Sequence, residues 1–200
     1  MAIITKSSLI TRDLNLLERL HERTLLSVMI SIPFAEDKTG RAVEPHAALI
    51  SRRFEVLETL ARAGLDVGVI VAPIIPGLND SDIPRILKRA RACGATRAFK
   101  TLLRLPGNVR QVFAARIRAA FPLAYEKIMG HIRQTRDGRL SNAKFGERFH
   151  GTGSYWENIE HVFDVYSHKL GFNQHPTAEP KRPPFKRPTP QMELTLTHSD

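Results

Sequence analysis

The chain has one cysteine, Cys93, in 200 residues. An internal disulfide is therefore excluded. No apolar run is long enough to span a bilayer, and no leader with a basic start, an apolar middle and a small-residue cleavage site is present. The expectation is a cytoplasmic chain with no membrane partner. The eight histidines show no HxxxH or HExxH spacing, which sets aside a histidine metal site. Walker, GxSxG and GxGxxG sequences are also missing. Carboxylates are scarce: 20 Asp and Glu stand against 30 Lys and Arg, for a formal charge of +10 and a pI near 10.3. That surplus favours polyanions or anionic substrates. The basic residues are spread along the helices, so an ordinary solvated surface stands beside that reading. Cys93 precedes Gly94 at an expected helix end and reads as a small, half-buried hydrophobe. A nucleophile would need a base or a positive environment, and none is visible around it.

What is present is clearest at residues 65–80, LDVGVIVAPIIPGLND. The β-branched run Val67, Val69, Ile70, Val71 stops at Pro73, Pro76 and Gly77, and Asn79-Asp80 leads into a helical pattern from Ile83. This is the pattern of a buried parallel strand delivering a loop to a helix N-terminus. In barrels and open α/β sheets, ligands sit at the carboxyl ends of such strands. The same alternation recurs. Met1–Thr5, Leu25–Pro33, Val67–Ala72 and Thr96–Leu105 read as strands, and Asp13–Arg23, Ala48–Ala63 and Ile83–Ala92 as amphipathic helices between them. Phe34–Pro45 reads as a polar loop, and Val109–Ala120 and Leu123–Arg133 as helices separated by Pro122.

The fold class expected is α/β, built from βαβ units on a parallel sheet. A closed barrel needs eight strands and roughly 250 residues. Four strands therefore make either a small open sheet or one part of an incomplete (β/α) barrel. The polar, glycine-bearing stretch Asp137–Gly153 precedes an expected helix at Tyr155–Leu170 carrying Trp156, Ile159, Phe163 and Tyr166. From Gln174 the chain holds six prolines and a basic run, a composition expected to stay disordered. The domain plan is 1–135 for the barrel part, 136–172 for a loop and helix extension, and 173–200 for the tail.

Six pieces in one order carry a family resemblance: ITKSSLITRDL (Ile4–Leu14), SVMISI (Ser27–Ile32), Glu44-Pro45 to Arg53, GVIVAPIIPGLND (Gly68–Asp80), LLRLPG (Leu102–Gly107) and GRLSNAKFGERFHGTG (Gly138–Gly153). Together they resemble the later part of radical SAM proteins, in the group similar to spore photoproduct lyase and called DNA-repair-photolyase-like. The resemblance covers about residues 3–172. It implies the C-terminal part of a partial TIM barrel, with S-adenosylmethionine and a 4Fe–4S cluster as the cofactors of the full-length family. In that family the cluster cleaves the sulfonium to a 5′-deoxyadenosyl radical. The cofactor carries the hard chemistry and the protein positions it. The chain departs from the family at one point: it has no CxxxCxxC, and Cys93 cannot supply three thiolates. The implied function is the cofactor-contacting part of a lyase-like enzyme, inactive alone, with the cluster carried by a missing N-terminal half. The alternative is a basic nucleic-acid-binding module without catalysis.

The resemblance also implies site residues. Lys6 stands near the carboxylate of S-adenosylmethionine, as an ammonium suits a carboxylate; its other reading is a solvated lysine. Ser7 is read as a cap of the segment that follows. Ser31, which shares a strand face with Ser27, stands near the nucleoside part or bonds inside the barrel. Arg53 reaches the methionyl carboxylate with Glu44 holding it, or is a surface arginine; Arg52 competes for the role. Val71, Ile75, Gly77 and Asn79 form an adenine-side loop, with Asn79 or Asp80 as helix cap in the plainer reading. Arg104 points to the cavity, where substrate lies, or to solvent. Arg139, Lys144, Arg148 and His150 form a basic cluster or a structural loop. Lys6, Ser31, Arg53 and Gly77 are expected to converge on one concave surface.

Overall fold

The computed structural model describes residues 1–140 and 149–174. Four strands, β1 (Ala2–Thr5), β2 (Ser27–Ser31), β3 (Asp66–Ile74) and β4 (Arg97–Leu102), form one parallel sheet in the order β1-β2-β3-β4. The order never reverses, so the sheet has no topological switch point and winds as barrel strands do. Helices α1 (Leu14–Arg23), α3 (Ile50–Arg62) and α4 (Ile83–Ala92) cross between successive strands. Helix α2 (Asp37–Val43) lies between β2 and α3. Helices α5 (Val109–Ala120), α6 (Tyr125–Gln134) and α7 (Gly153–Lys169) follow β4. No helix among the described residues is long and apolar enough to cross a membrane.

The register sorts the strand residues onto two faces. Val28, Ile30, Val67, Val69, Val71 and Ala98 share the face beneath the helices and are buried. They pack with Phe54, Leu57, Leu60, Ile86 and Leu87 from α3 and α4. Ile4, Met29, Ser31, Ile70 and Phe99 share the other face. That face is only partly covered: Ile4 is 63% and Phe99 47% exposed. A doubly wound sheet buries both faces. A parallel sheet with helices on one side and a half-open apolar side is consistent with a partial, barrel-like arrangement.

The outer edge of β4 is closed by side-chain mimicry of a strand. Asn173 accepts from Ala98 N–H at 3.1 Å through Oδ1 and donates to Ala98 O at 2.9 Å through Nδ2. Its own N–H donates to Thr96 O at 3.0 Å. Asn173 sits at φ 59°, a conformation asparagine tolerates better than most residues. Lys100 meets Asp164 at 2.7 Å and the Phe163 ring at 4.6 Å, which draws α7 against the same strand.

Most expected elements are present, with two corrections. Phe34–Pro45 is not a loop throughout, because Asp37–Val43 is helical. Gly40 lets α2 lie on α3: a Cβ there would stand 2.7 Å from Ile50 Cγ1. Asp37 accepts from the Ser51 backbone N–H and hydroxyl, both at 2.8 Å, so the start of α3 is capped from outside the helix. Those bonds hold the Asp37 carboxyl below its ordinary value, the Ser51 N–H acting most strongly. The second correction concerns the helix cap after β3. Neither Asn79 nor Asp80 caps α4, whose first turn instead contains Pro84. Ser7 does cap the 3-10 turn Ser8–Asp13, accepting from Leu9 N–H at 3.1 Å. Of the expected disordered tail, 173–200, Asn173 is held on β4 and residues 175–200 lie outside the described residues, as do Lys144 and Arg148.

Asn79 is fully buried and ties two rim loops together. Its Oδ1 accepts from Ile75 N–H at 2.6 Å, and its Nδ2 donates to Pro33 O at 2.6 Å and Pro73 O at 3.0 Å. Asn79→Ala strands one buried donor and two buried carbonyls, and each buried group left unpaired costs about 1–3 kcal/mol. The expected loss is about 3 kcal/mol in urea unfolding, with an unchanged m-value; a loss below about 1 kcal/mol contradicts the role given to this side chain.

Candidate functional site

All four strands end on one cavity of about 390 Å³. Ile4, Thr5 and Lys6 line it from β1 and the residue after it, and Ser31 from β2. Ile70, Ala72 and Pro73 come from β3; Thr101 and Leu102 come from β4, Arg104 from just beyond it, and Phe149 from the C-terminal extension. The wall is mostly apolar, with Lys6 after one outer strand and Arg104 after the other. Neighbouring strands stand about 4.8 Å apart, so three spacings separate β1 from β4 by roughly 14 Å.

The Lys6 end is built from three side chains in series. Lys6 Nζ pairs with Glu44 Oε1, and Arg53 donates through Nη2 to Glu44 Oε2 at 2.8 Å. Arg53 also donates from Nη1 to Ser31 O and from Nε to Ala48 O, both at 2.9 Å. The Arg53 side chain is only 2% exposed, so none of the guanidinium faces the cavity. The Lys6 side chain is 40% exposed and carries three donors, so it presents a positive charge to the cavity while Glu44 orients it. Arg52, the competing arginine, pairs with Glu55 on the exposed side of α3.

Ser31 is buried, and its hydroxyl donates to Ala72 O at 2.9 Å, bridging β2 and β3 at the rim. The Ala72–Pro73 peptide is cis. The rest of the loop after β3 turns away from the cavity. Val71 faces the helices by strand alternation, and Ile75 is fully buried in the core. Gly77, at φ 80°, lies under His131: a Cβ there would stand 2.7 Å from His131 Cδ2. His131 stacks on Tyr155 at 4.1 Å, and the Tyr155 hydroxyl donates to Asp80 Oδ2 at 2.5 Å. Burial first, then Asp80, holds that phenol well above its ordinary value.

The structure therefore brings Lys6, Ser31 and Arg104 to one concave surface, with Glu44 and Arg53 behind Lys6. It does not bring Val71, Ile75, Gly77 or Asn79 there. The expected convergence of Lys6, Ser31, Arg53 and Gly77 is met by the first two side chains alone. Ile70, Ala72, Thr101 and Phe149 were not singled out from sequence. For Thr101 the signal was available, since it stands two residues after Phe99 on the open face. Arg139 and His150 are exposed and show no joint site among the described residues.

Arg104 lies with its guanidinium 5.2 Å from the Phe149 ring centre. Its Nε is buried and has no hydrogen-bond partner among the described residues. Arg136 donates through Nη2 to Leu103 O at 2.7 Å, one residue before Arg104. Burial, and then the charge of Arg104, hold Arg136 below the ordinary arginine value.

An iron–sulfur cluster of the 4Fe–4S kind needs three or four thiolates. The sequence has one cysteine, and among the described residues no three His, Cys, Asp or Glu side chains are grouped to hold a metal ion. The residues present do not fit such a cluster. Burial pushes the Cys93 thiol up, with Glu58 adding to the effect.

No protein-family model matches the chain. An uncharacterized protein of Mycobacterium tuberculosis is 32% identical over 124 residues, which is 61% of this chain and 36% of that protein. A protein of Mycobacterium bovis matches to the same extent, and an uncharacterized protein of Acidianus two-tailed virus is 37% identical over 106 residues, 50% of this chain and 35% of that protein. The match thus spans about a third of the length of these relatives. Among solved structures, a mutant of spore photoproduct lyase superposes with a TM-score of 0.56 at 16% identity, over 86% of this chain and 49% of that one. At that identity the likeness is one of fold.

The series Lys6–Glu44–Arg53 makes an asymmetric prediction. Arg53→Met leaves Glu44 half-paired and two carbonyls without their donor, and is expected to cost about 3 kcal/mol in urea unfolding. Lys6→Gln leaves Glu44 with its buried partner and is expected to cost less than about 1 kcal/mol. Equal losses would contradict the placement of Arg53 as support and Lys6 as the presented group.

Proposed function

We propose that this chain is a radical-SAM-related fragment, and that its cavity is the S-adenosylmethionine-contacting part of an incomplete (β/α) barrel. The observation that carries the reading is the presented lysine at the carboxyl end of a parallel strand, held by a buried carboxylate–guanidinium pair. Lys6 would take the α-carboxylate of the ligand. The apolar wall of Ile70, Ala72 and Pro73 would take its adenosyl part, and Ser31 keeps the β2 and β3 rims in register. Glu44 and Arg53 are positioning residues in this account. The fold likeness to a radical SAM lyase supports the same reading.

Sulfonium cleavage is assigned to cluster chemistry outside this chain. In this account the cluster thiolates are not among these 200 residues, and the half-open face with Ile4 and Phe99 is the side that would face the barrel interior. The chain alone is then without lyase activity.

A second reading rests on charge. Residues 83–140 hold fourteen Lys and Arg against two carboxylates, Glu126 and Asp137. Arg110, Arg116, Arg118, Lys127 and Arg133 are exposed on α5 and α6, away from the cavity. A nucleic-acid backbone is the partner that this face fits, with affinity that falls steeply as salt rises.

Calorimetry with S-adenosylmethionine tests the first reading. The expected result is weak, saturable binding that Lys6→Gln reduces about tenfold, the share of one charge-assisted contact. Anaerobic reconstitution is expected to leave the chain without stoichiometric iron and sulfide. Binding that is indifferent to Lys6, or about four irons and four sulfides per chain, would overturn the reading.

A further inference from the structure

The two ends of the cavity differ in one respect. Lys6 is balanced by Glu44, whereas Arg104 has no carboxylate partner among the described residues. The charge of Arg104 acts on Arg136, which is of the same sign. A buried guanidinium N–H without an acceptor is costly. The contact with Phe149 offsets part of it, because the face of an aromatic ring attracts a cation. A ring face does not accept the in-plane Nε–H. A guanidinium fork has its best partner in the two oxygens of a planar or tetrahedral oxyanion.

We infer that Arg104 receives an oxyanion, a carboxylate or a phosphate, carried by a second ligand that shares the cavity with the one at Lys6. The inference rests on the reading of this cavity as a ligand site, though not on which ligand fills the Lys6 end. Phe149, 42% exposed, and Thr101 flank the site, so the body of that ligand lies against an aromatic ring and a hydroxyl. The separation of about 14 Å between the outer strands leaves room for two charged groups to be bound independently. A substrate of this class carries its negative charge away from the reacting end and is oriented by it.

The arginine Nε–Hε resonances of the nitrogen-15-labelled full chain test this directly. Inorganic phosphate and acetate are titrated at constant ionic strength against chloride. The expected result is a saturable shift of the Arg104 signal with either anion, with a dissociation constant on the order of 1 mM, that persists in Lys6→Gln. Arg104→Gln should lose the site, and Arg104→Lys should keep the charge while binding about tenfold more weakly, since the fork is gone. A wild-type titration in which no Arg104 shift exceeds the chloride control overturns the inference even if both variants fail to fold. So does S-adenosylmethionine binding that collapses in Arg104→Gln, for then Arg104 belongs to the first ligand. Loss of S-adenosylmethionine binding altogether, with the phosphate or acetate response intact, overturns only the function proposed above.

Discussion

The buried guanidinium of Arg53 holds the rim together. One side chain on α3 bonds the carbonyl of Ser31 at the end of β2, the carbonyl of Ala48 before its own helix, and the carboxylate of Glu44. Through Glu44 it fixes Lys6 at the end of β1. Burying such a charge is unfavourable unless every donor is matched, and here the donors reach three acceptors on two segments and a strand end. The same geometry that satisfies Arg53 therefore sets the distance between β1, β2 and α3. The cavity inherits its shape from that requirement.

The second constraint is the loop after β3. Asn79 holds the turn by bonding its own loop and the loop after β2, and Gly77 allows His131 to lie against the backbone. Tyr155 and Asp80 then bring the C-terminal helices to the same turn. The loop is thus a structural joint between the sheet and α6–α7. The cavity takes Ala72 and Pro73 from the end of β3, before this joint.

Strands and crossover helices were legible because their periods are written in apolar residues. Val67, Val69 and Val71 alternate, and Phe54, Leu57 and Leu60 recur at helical spacing. Helix α2 was not legible: DKTGRAV has no apolar period, and its helix rests on the close approach that Gly40 permits to Ile50. In the site, Lys6, Ser31 and Arg104 were legible as polar residues at strand ends, and it was the resemblance that turned them toward the cavity. Whether Arg53 faces ligand or core was not, because an arginine next to an apolar helical stripe looks the same in both cases. Asn79 posed the same difficulty. Its three bonds depend on where Pro33 and Pro73 come to lie, which is a tertiary fact.

Helices on one face and a half-open apolar face on the other give this sheet a concave side that ends in the cavity, and the charges of Lys6 and Arg104 stand at its two margins. The basic surface of α5 and α6 is spatially separate from it. Backbone amide shift mapping with S-adenosylmethionine is the most direct measurement of what that cavity does. The account predicts shifts concentrated at Thr5, Lys6, Ser31, Ala72 and Thr101. Shifts confined to α5 and α6, or none at saturating ligand, would contradict it.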